Sequence, residues 1–129
     1  MDITPDERYI LSSLRRRPGM YLGTKSFAAF VAWQYGYNHA LSMTKQPQEQ
    51  HNLLPDGLYE YAAKKYLGDD NYRGPLGWMS LISSYQPDDK LALDEFFVFL
   101  DEYLITSGFE PIPDWDTTYA NHLKGDIKA

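Results

Sequence analysis

Residues 88–108, DDKLALDEFFVFLDEYLITSG, carry the clearest helical pattern in the chain. Their apolar side chains recur with a helical period, and acidic side chains interleave with them. The apolar positions are Leu91, Leu93, Phe96, Phe97, Leu100, Tyr103 and Leu104. This spacing predicts an amphipathic helix that buries one face. Asp88 or Asp89 lies at its positive end, and Gly108 ends it.

The N-terminal part of the chain predicts two helices. Residues 4–7 (TPDE) combine an N-cap threonine, a proline suited to the first helical position and the glutamate of a capping box. Pro18 ends this helix. A second helix, capped by Thr24 or Ser26, extends to about Ser42. Apolar residues cover much of its circumference, which predicts a central position in the fold.

The middle of the chain predicts two more helices, each preceded by a loop. Residues 44–52 are polar, include a proline and have no periodicity, so they are interpreted as a loop. A third helix runs from Leu58 to near Gly68, and Pro75 opens a fourth. The tail, residues 109–129, predicts either a short strand or a last helical turn.

Composition indicates one folded domain over residues 1–129. Hydrophobic residues are 43% of the 129 residues and aromatic residues 16%, enough for one sizeable core. No segment alternates polar and apolar residues over a sustained length. The sequence therefore predicts an all-α fold, a compact bundle of about five helices with an irregular C-terminal tail. The lack of cysteine, of an apolar leader and of any run of about 20 apolar residues predicts a cytoplasmic protein.

Charge is distributed unevenly along the chain. The net charge is −6, yet residues 1–42 carry five basic and three acidic side chains, whereas residues 43–129 carry seven basic and fifteen acidic ones. Between Gln86 and Asp116 there are nine acids against Lys90 alone. This segment repels phosphate backbones, so direct nucleic-acid binding is not expected, and it attracts a basic protein.

The acidic half predicts a partner-binding surface. Carboxylates speed association with a basic partner, and tyrosine and tryptophan side chains supply binding energy. The residues predicted for this surface are Asp94, Asp101, Glu102, Tyr85, Asp114, Trp115 and Asp116. The alternative interpretation is a solvated helix face that only confers solubility.

Residues 15–23, RRRPGMYLG, form the most distinctive short motif. One interpretation is a phosphate site, because glycine lets backbone N–H groups approach an anion beside the arginines. The interpretation we favour is structural: the proline stops a helix, the glycines adopt special backbone angles, and three apolar side chains, including Leu22, enter the core. The residues assigned to this structural motif are Arg17, Pro18, Gly19, Met20, Tyr21 and Gly23.

The same motif resembles the arginine-proline-glycine-methionine-tyrosine motif near the start of the ATPase domain of gyrase-type topoisomerases. That resemblance implies a glutamate general base and a magnesium-binding asparagine on the following helix, and the matching residues here are Gln34 and Asn38. Glutamine cannot take a proton from water, and the family's other nucleotide-binding motifs have no counterpart. We therefore predict that the chain does not hydrolyse ATP.

The layout of about 100 residues also resembles that of small bacterial helical proteins with a proline-glycine-methionine-tyrosine-leucine-glycine turn, an aromatic helix and a late acidic-aromatic helix. Some small acidic proteins of this sort are immunity proteins of contact-dependent growth inhibition and other polymorphic toxin systems. The resemblance implies a binding protein that occludes a cognate toxin domain. The alternative is a small nucleotide- or phosphate-binding enzyme or sensor that uses the turn from Arg15 to Gly23.

The sequence predicts neither a metal site nor catalytic residues, and it implies no cofactor. His39, His51 and His122 are scattered, without the paired spacing of zinc ligands. The aspartate pairs lack the glycine and terminal glutamate of a calcium-binding loop. No nucleophile motif of the G-x-S-x-G type occurs. His39 is interpreted as a residue of the helix surface or the core.

Overall fold

The computed structural model describes residues 3–44, 52–69, 72, 74 and 77–112, and every regular element in these residues is helical. A π-helical turn, Ala63–Leu67, continues the fourth helix. The helices are α1 Pro5–Arg16, α2 Pro18–Leu22, α3 Phe27–Thr44, α4 Leu58–Ala62, α5 Trp78–Tyr85 and α6 Asp89–Thr106. The prediction of an all-α bundle is confirmed for this part of the chain.

Helix α1 begins as the sequence predicts and is joined to α3 by a buried carboxylate. Thr4 is the N-cap, and its hydroxyl oxygen accepts a hydrogen bond from the Glu7 backbone N–H at 3.3 Å. The Glu7 side chain is buried and accepts hydrogen bonds from the hydroxyls of Thr4 and, at 2.7 Å, Tyr37. Burial and this bond raise the pKa of Tyr37 well above its usual value. The phenol therefore remains a donor to the buried acid.

The turn after α1 differs from its prediction. Pro18 begins the short helix α2, because a proline at the first helical position needs no N–H partner. Gly23 caps α2 with φ +81°, as expected of a glycine there, but Gly19 lies inside α2 without a positive φ. Met20 and Tyr21 are 67% and 41% exposed, so their predicted insertion into the core is wrong.

The reason lies in the length of α2. A helix of five residues makes little more than one turn, so only one side of it can face the core. Leu22 occupies that side and packs against the core, which leaves the two preceding side chains in solvent. Proline is common both after a helix end and at a helix start, so Pro18, which was predicted only to end α1, also begins α2.

Helix α6, not α3, is the central element. It packs against α3 and α5 and buries seven of its side chains, which are Ala92, Leu93, Phe96, Phe97, Phe99, Leu100 and Leu104. The Phe96 ring lies 4.7 Å from that of Phe30 on α3 and 5.4 Å from that of Trp78 on α5, measured between centroids. Such aromatic contacts add to the free energy of burial.

The predicted central position of α3 is wrong. Only Phe27, Phe30 and Gln34 of its eighteen residues are buried. Large side chains such as Trp33 and Tyr37 are half-buried, and Tyr35 is exposed. Aromatic residues around a helix satisfy the pattern of a central helix, yet each can also lie at the edge of a core with its polar group in water.

The remaining helix ends follow local capping rules. Gly68, with φ +69°, ends the π-helical turn near the predicted position. Helix α5 begins at Trp78 behind the extended residue Gly77, later than predicted. The Asp88 carboxylate caps α6 by accepting bonds from the N–H groups of Lys90 and Leu91, as predicted. Residues 109–112 form no regular element, and residues 113–129 lie outside the described part.

Candidate partner-binding face of α6

The three acids predicted on α6 lie on its surface, and each is paired with a cation from another element. Asp94 binds Lys25 at 2.7 Å, and both side chains are well exposed. Glu102 binds Lys65 of the π-helical turn at 2.5 Å. The sequence predicted the acids but not these cations, because the paired residues are far apart in the chain.

Both carboxylate oxygens of Asp101 accept hydrogen bonds from other parts of the protein. One carboxylate oxygen accepts a bond from Arg15 at the end of α1 (2.7 Å), and the other accepts from the backbone N–H of Ile112 (2.8 Å). The Arg15 guanidinium also lies 5.4 Å from the centre of the Phe97 ring. Asp101 therefore ties both α1 and the segment after α6 to the central helix, and it is less available to a partner than Asp94.

A second cluster lies where α6 meets the π-helical turn. The Tyr66 hydroxyl donates to Glu95 at 2.5 Å, and the Lys65 ammonium lies 3.8 Å from the same carboxylate oxygen. Burial and the bond to Glu95 raise the pKa of Tyr66 well above its usual value. The phenol stays protonated at neutral pH, so Tyr66 remains a hydrogen-bond donor to Glu95 and joins the π-helical turn to α6.

Between these ion pairs, α6 exposes a row of apolar side chains that were not predicted to lie on the surface. Leu91, Val98 and Ile105 are 51%, 45% and 60% exposed. They are seven residues apart, a spacing that returns to nearly the same side of a helix after two turns. We call these three residues the α6 ridge. The prediction that Leu91 lies on the buried face is wrong.

Carboxylates flank the α6 ridge on both sides. At about 100° per residue, Asp94 and Asp101 fall on one side of the ridge, and Glu95 and Glu102 fall on the other or along it. The cations that pair with these acids also lie on two different sides of α6. Asp94 and Asp101 pair with Lys25, in the loop before α3, and Arg15, on α1, whereas Glu95 and Glu102 pair with Lys65 of the π-helical turn. An apolar strip with an acidic border is thus built from one helix.

The remaining predicted partner-binding residues are only partly described. Tyr85, the last residue of α5, is 64% exposed, and its ring centre lies 4.9 Å from that of Tyr66. It therefore stands next to the cluster that holds Glu95. Asp114, Trp115 and Asp116 lie outside the described residues.

After the alternative phosphate site at residues 15–23, the next helix end is occupied by an acid of the chain itself. A helix N-terminus attracts anions, and the N-terminus of α3 follows this turn. There the Asp89 carboxylate accepts a bond from the Ala28 N–H at 3.0 Å, and hydrogen bonds from Ser26, Ala28 and Phe27 lower its pKa. A carboxylate of α6 thus occupies the N-terminus of α3, and the phosphate interpretation of the turn at residues 15–23 stays a prediction.

Gln34 is buried and accepts a hydrogen bond from Asn38 at 3.0 Å. Within the described residues, no three histidine, aspartate or glutamate side chains are arranged to hold a metal ion. His39 is exposed on α3, and the other two histidines lie outside the described part.

Comparison of the chain with protein-family models, with curated proteins and with solved structures gave no match. None of the helices in the described residues has the length and apolar character required to cross a membrane.

Proposed function

We propose that this protein is a binding protein, an immunity protein that neutralises a cognate bacterial toxin domain, and that the partner docks on the α6 ridge and its acidic border. The observation that carries the proposal is the row formed by Leu91, Val98 and Ile105, each about half exposed on the most deeply packed helix of the bundle. A single exposed leucine needs no explanation, but three exposed apolar side chains on one side of a helix, with carboxylates beside and between them, are a pattern typical of interaction sites.

The charge around the ridge supports a basic partner. Carboxylates at an interface accelerate encounter with a positive surface and exclude partners of like charge. Asp94 is the most exposed of the paired acids, and its partner Lys25 is also exposed, so both can exchange contacts with an incoming chain. Such exposed pairs contribute little to stability, about 0–1 kcal/mol. These exposed charges therefore suit recognition more than folding.

The toxin that fits this surface is a nuclease, because the substrate cleft of a nuclease must itself be basic to hold phosphates. The mechanism is occlusion: a rigid helix covers the active site or the substrate face, and no reaction takes place. The protein acts in the cytoplasm, where a nuclease toxin meets its substrate, and it binds neither nucleic acid nor membranes directly. An affinity in the nanomolar range or tighter is expected of such inhibitors.

The test uses the toxin domain encoded by the reading frame next to this protein's gene. Co-expression should protect cells from that toxin, and calorimetry should show tight one-to-one binding. The triple variant Leu91→Ser/Val98→Ser/Ile105→Ser should keep its helical circular dichroism but bind at least about 100-fold more weakly, as expected when central apolar contacts of an interface are lost.

A matched control changes exposed apolar residues of α3, with Tyr35→Ser and Met43→Ser, which are 56% and 75% exposed. This variant should bind as the unmodified protein does. If both variants bind equally well, the ridge is not the interface. If the neighbouring frame encodes no toxin that this protein neutralises, the immunity function itself is wrong.

A further inference from the structure

A cavity of about 320 Å³ lies between α3, the loop before α4 and the start of α5, apart from the α6 ridge. Its walls include Gln34 and Tyr35 from α3, Leu54 and Tyr59 from the loop and α4, and Trp78 from α5. The volume is at the lower end of the range of pockets that hold small molecules, about 300–1,000 Å³. We refer to it as the Gln34 pocket.

A chain of hydrogen bonds fixes the orientation of the Gln34 amide. The Leu53 backbone N–H donates to Asn38 Oδ1 at 2.8 Å, and Asn38 Nδ2 donates to Gln34 Oε1 at 3.0 Å. Because a backbone N–H can only donate, Asn38 must turn its oxygen towards Leu53 and its nitrogen towards Gln34. Gln34 must in turn offer its oxygen to Asn38, so its NH₂ group forms the end of the chain.

That NH₂ group has no acceptor among the described residues, and Gln34 is one of the residues that line the pocket. The Gln34 side chain is only 4% exposed, and its sole hydrogen bond within the described residues is the one that its oxygen accepts. No fully buried polar side-chain atom of the described residues lacks a partner, so the Gln34 nitrogen is not fully buried, and the pocket that Gln34 lines is the accessible space next to it. A donor in such a sheltered place is costly to leave unpaired.

The remaining walls define the chemistry that fits. Trp78, Tyr35 and Tyr59 offer aromatic surface, and Leu54 offers aliphatic surface. Asp56 is the one charged residue among the described lining residues, and it is negative. Aromatic walls favour a flat apolar body, and a lone carboxylate disfavours anions such as phosphates.

We propose that the Gln34 pocket binds an uncharged, planar small molecule through a carbonyl oxygen that accepts a hydrogen bond from Gln34 Nε2. The site is separate from the protein-binding face of α6, and neither proposal depends on the other. Because the donor is held by Asn38 and Leu53 before any ligand arrives, the pocket is preorganised for such an acceptor.

The test titrates three matched probes into the full-length, nitrogen-15-labelled protein and follows its nuclear magnetic resonance spectrum. Benzamide carries the carbonyl, toluene lacks it, and benzoate carries a negative charge. Benzamide should shift the side-chain amide of Gln34 and the indole N–H of Trp78. Toluene and benzoate should bind at least about fivefold more weakly, since one lacks the acceptor and the other meets Asp56.

The variant Gln34→Met removes the donor at similar volume. It should weaken benzamide binding about five- to tenfold and leave toluene binding unchanged. The control variant Met43→Ala, at an exposed residue of α3 outside the pocket, should leave the binding of all three probes unchanged.

Three results overturn the proposal. Absence of shifts at Gln34 and Trp78 with millimolar benzamide means that the pocket holds only water. Tighter binding of toluene or benzoate than of benzamide rules out recognition of a neutral carbonyl. Equal loss of both neutral probes in Gln34→Met shows that the glutamine supports the fold and not the ligand. The ranking of probes on the unmodified protein decides the question even if that variant does not fold.

Discussion

At the scale of single residues, glycines with opposite roles occur in the described part of the chain. Gly57 precedes α4 with φ +93°, a left-handed conformation that side chains rarely adopt. A Cβ atom added there would lie 2.7 Å from the Tyr103 hydroxyl oxygen, which donates to the Asp56 carbonyl. Gly36, by contrast, lies within α3 with nothing near the place of its missing Cβ.

These surroundings predict stability changes of opposite sign. Gly57→Ala should lower the free energy of unfolding by about 1–3 kcal/mol, because the left-handed conformation is strained and the tyrosine must move. Gly36→Ala should raise it by about 0.5–1 kcal/mol, because alanine loses less backbone entropy in a helix. Urea denaturation of both variants measures the difference. A shift in the same direction would contradict the backbone assignment at one of the two sites.

Asp89 provides a test that depends on pH. Its pKa is lowered from the usual value of 3.8 by hydrogen bonds from Ser26, Ala28 and Phe27 at the start of α3. A carboxyl whose folded pKa is depressed stabilises the fold above its unfolded pKa and loses that contribution as the pH falls through the folded pKa. Because the side chain is exposed, the contribution at neutral pH is at most about 1 kcal/mol.

The variant Asp89→Asn keeps an amide oxygen but cannot ionise. It should be less stable than the unmodified protein at pH 7, and the difference should close as the pH falls from roughly 5 to 2. Thermal unfolding of both proteins across this range provides the measurement. A difference that stays constant with pH would mean that the carboxylate charge does not stabilise the start of α3.

At the scale of secondary-structure elements, α6 combines a buried and an exposed face in one helix. Its buried phenylalanines contact rings of α3 and α5, whereas the α6 ridge has no neighbour among the described residues that covers it. The cap at Asp88 and the ion pairs at Asp94, Asp101 and Glu102 fix its start and its rotation. The two faces should therefore respond differently to truncation.

Truncation of Phe96 and of Val98 compares the two faces directly. Phe96→Ala should lower the free energy of unfolding by about 3–5 kcal/mol, because it leaves a cavity among aromatic rings. Val98→Ala should change it by no more than about 0.5 kcal/mol, because this side chain is 45% exposed. Guanidinium denaturation measures both values. A loss above about 1 kcal/mol for Val98→Ala would mean that the ridge is packed within the protein, which would remove the basis of the proposed interface.

At the scale of the whole molecule, the net charge of −6 attracts a basic partner as it approaches, before any single ion pair forms. Neutralising any two acids reduces the overall attraction to a basic partner equally. Only acids beside the interface also change the local field that orients the partner. This distinction separates a binding face from a merely acidic surface.

The double variant Asp94→Asn/Glu102→Gln should therefore slow association with the cognate toxin domain several-fold at low salt and reduce its salt dependence. The matched control Asp6→Asn/Glu60→Gln makes the same change of net charge at exposed positions of α1 and α4. Stopped-flow fluorescence at two salt concentrations measures both rates. Equal rates for the two variants would show that association depends on total charge and not on the α6 face.

Much of the helical layout is predictable from the sequence because helix signals are local. The N-cap threonine of α1, the Asp88 cap of α6 and the glycine after its end all act within a few residues of the helix end they define. The apolar period of α6 likewise reports one buried face without reference to the rest of the chain. The start of α2 escaped prediction because a proline fits both a helix end and a helix start.

The candidate site was predicted less completely. The exposed acids Asp94 and Glu102 were identified from the acidic run, but Val98 and Ile105 were not, and Leu91 was placed on the wrong face. The signal that points to them is their seven-residue spacing, which the broader apolar pattern of α6 obscured. No local sequence pattern indicates the ion pairs that Lys25 and Lys65 form, because their partners lie far away in the chain.

The sequence by itself determined that the described chain is helical, where its clearest helices begin and end, and that one late helix carries both the core phenylalanines and the acids. Only the tertiary structure decided that α6 is central and α3 peripheral, that the α6 ridge faces outwards, and that Gln34 ends a hydrogen-bond chain at a cavity. The physical reason is the range of the interactions. Capping and periodicity join residues within two turns of a helix, whereas burial depends on neighbours brought together from distant parts of the chain.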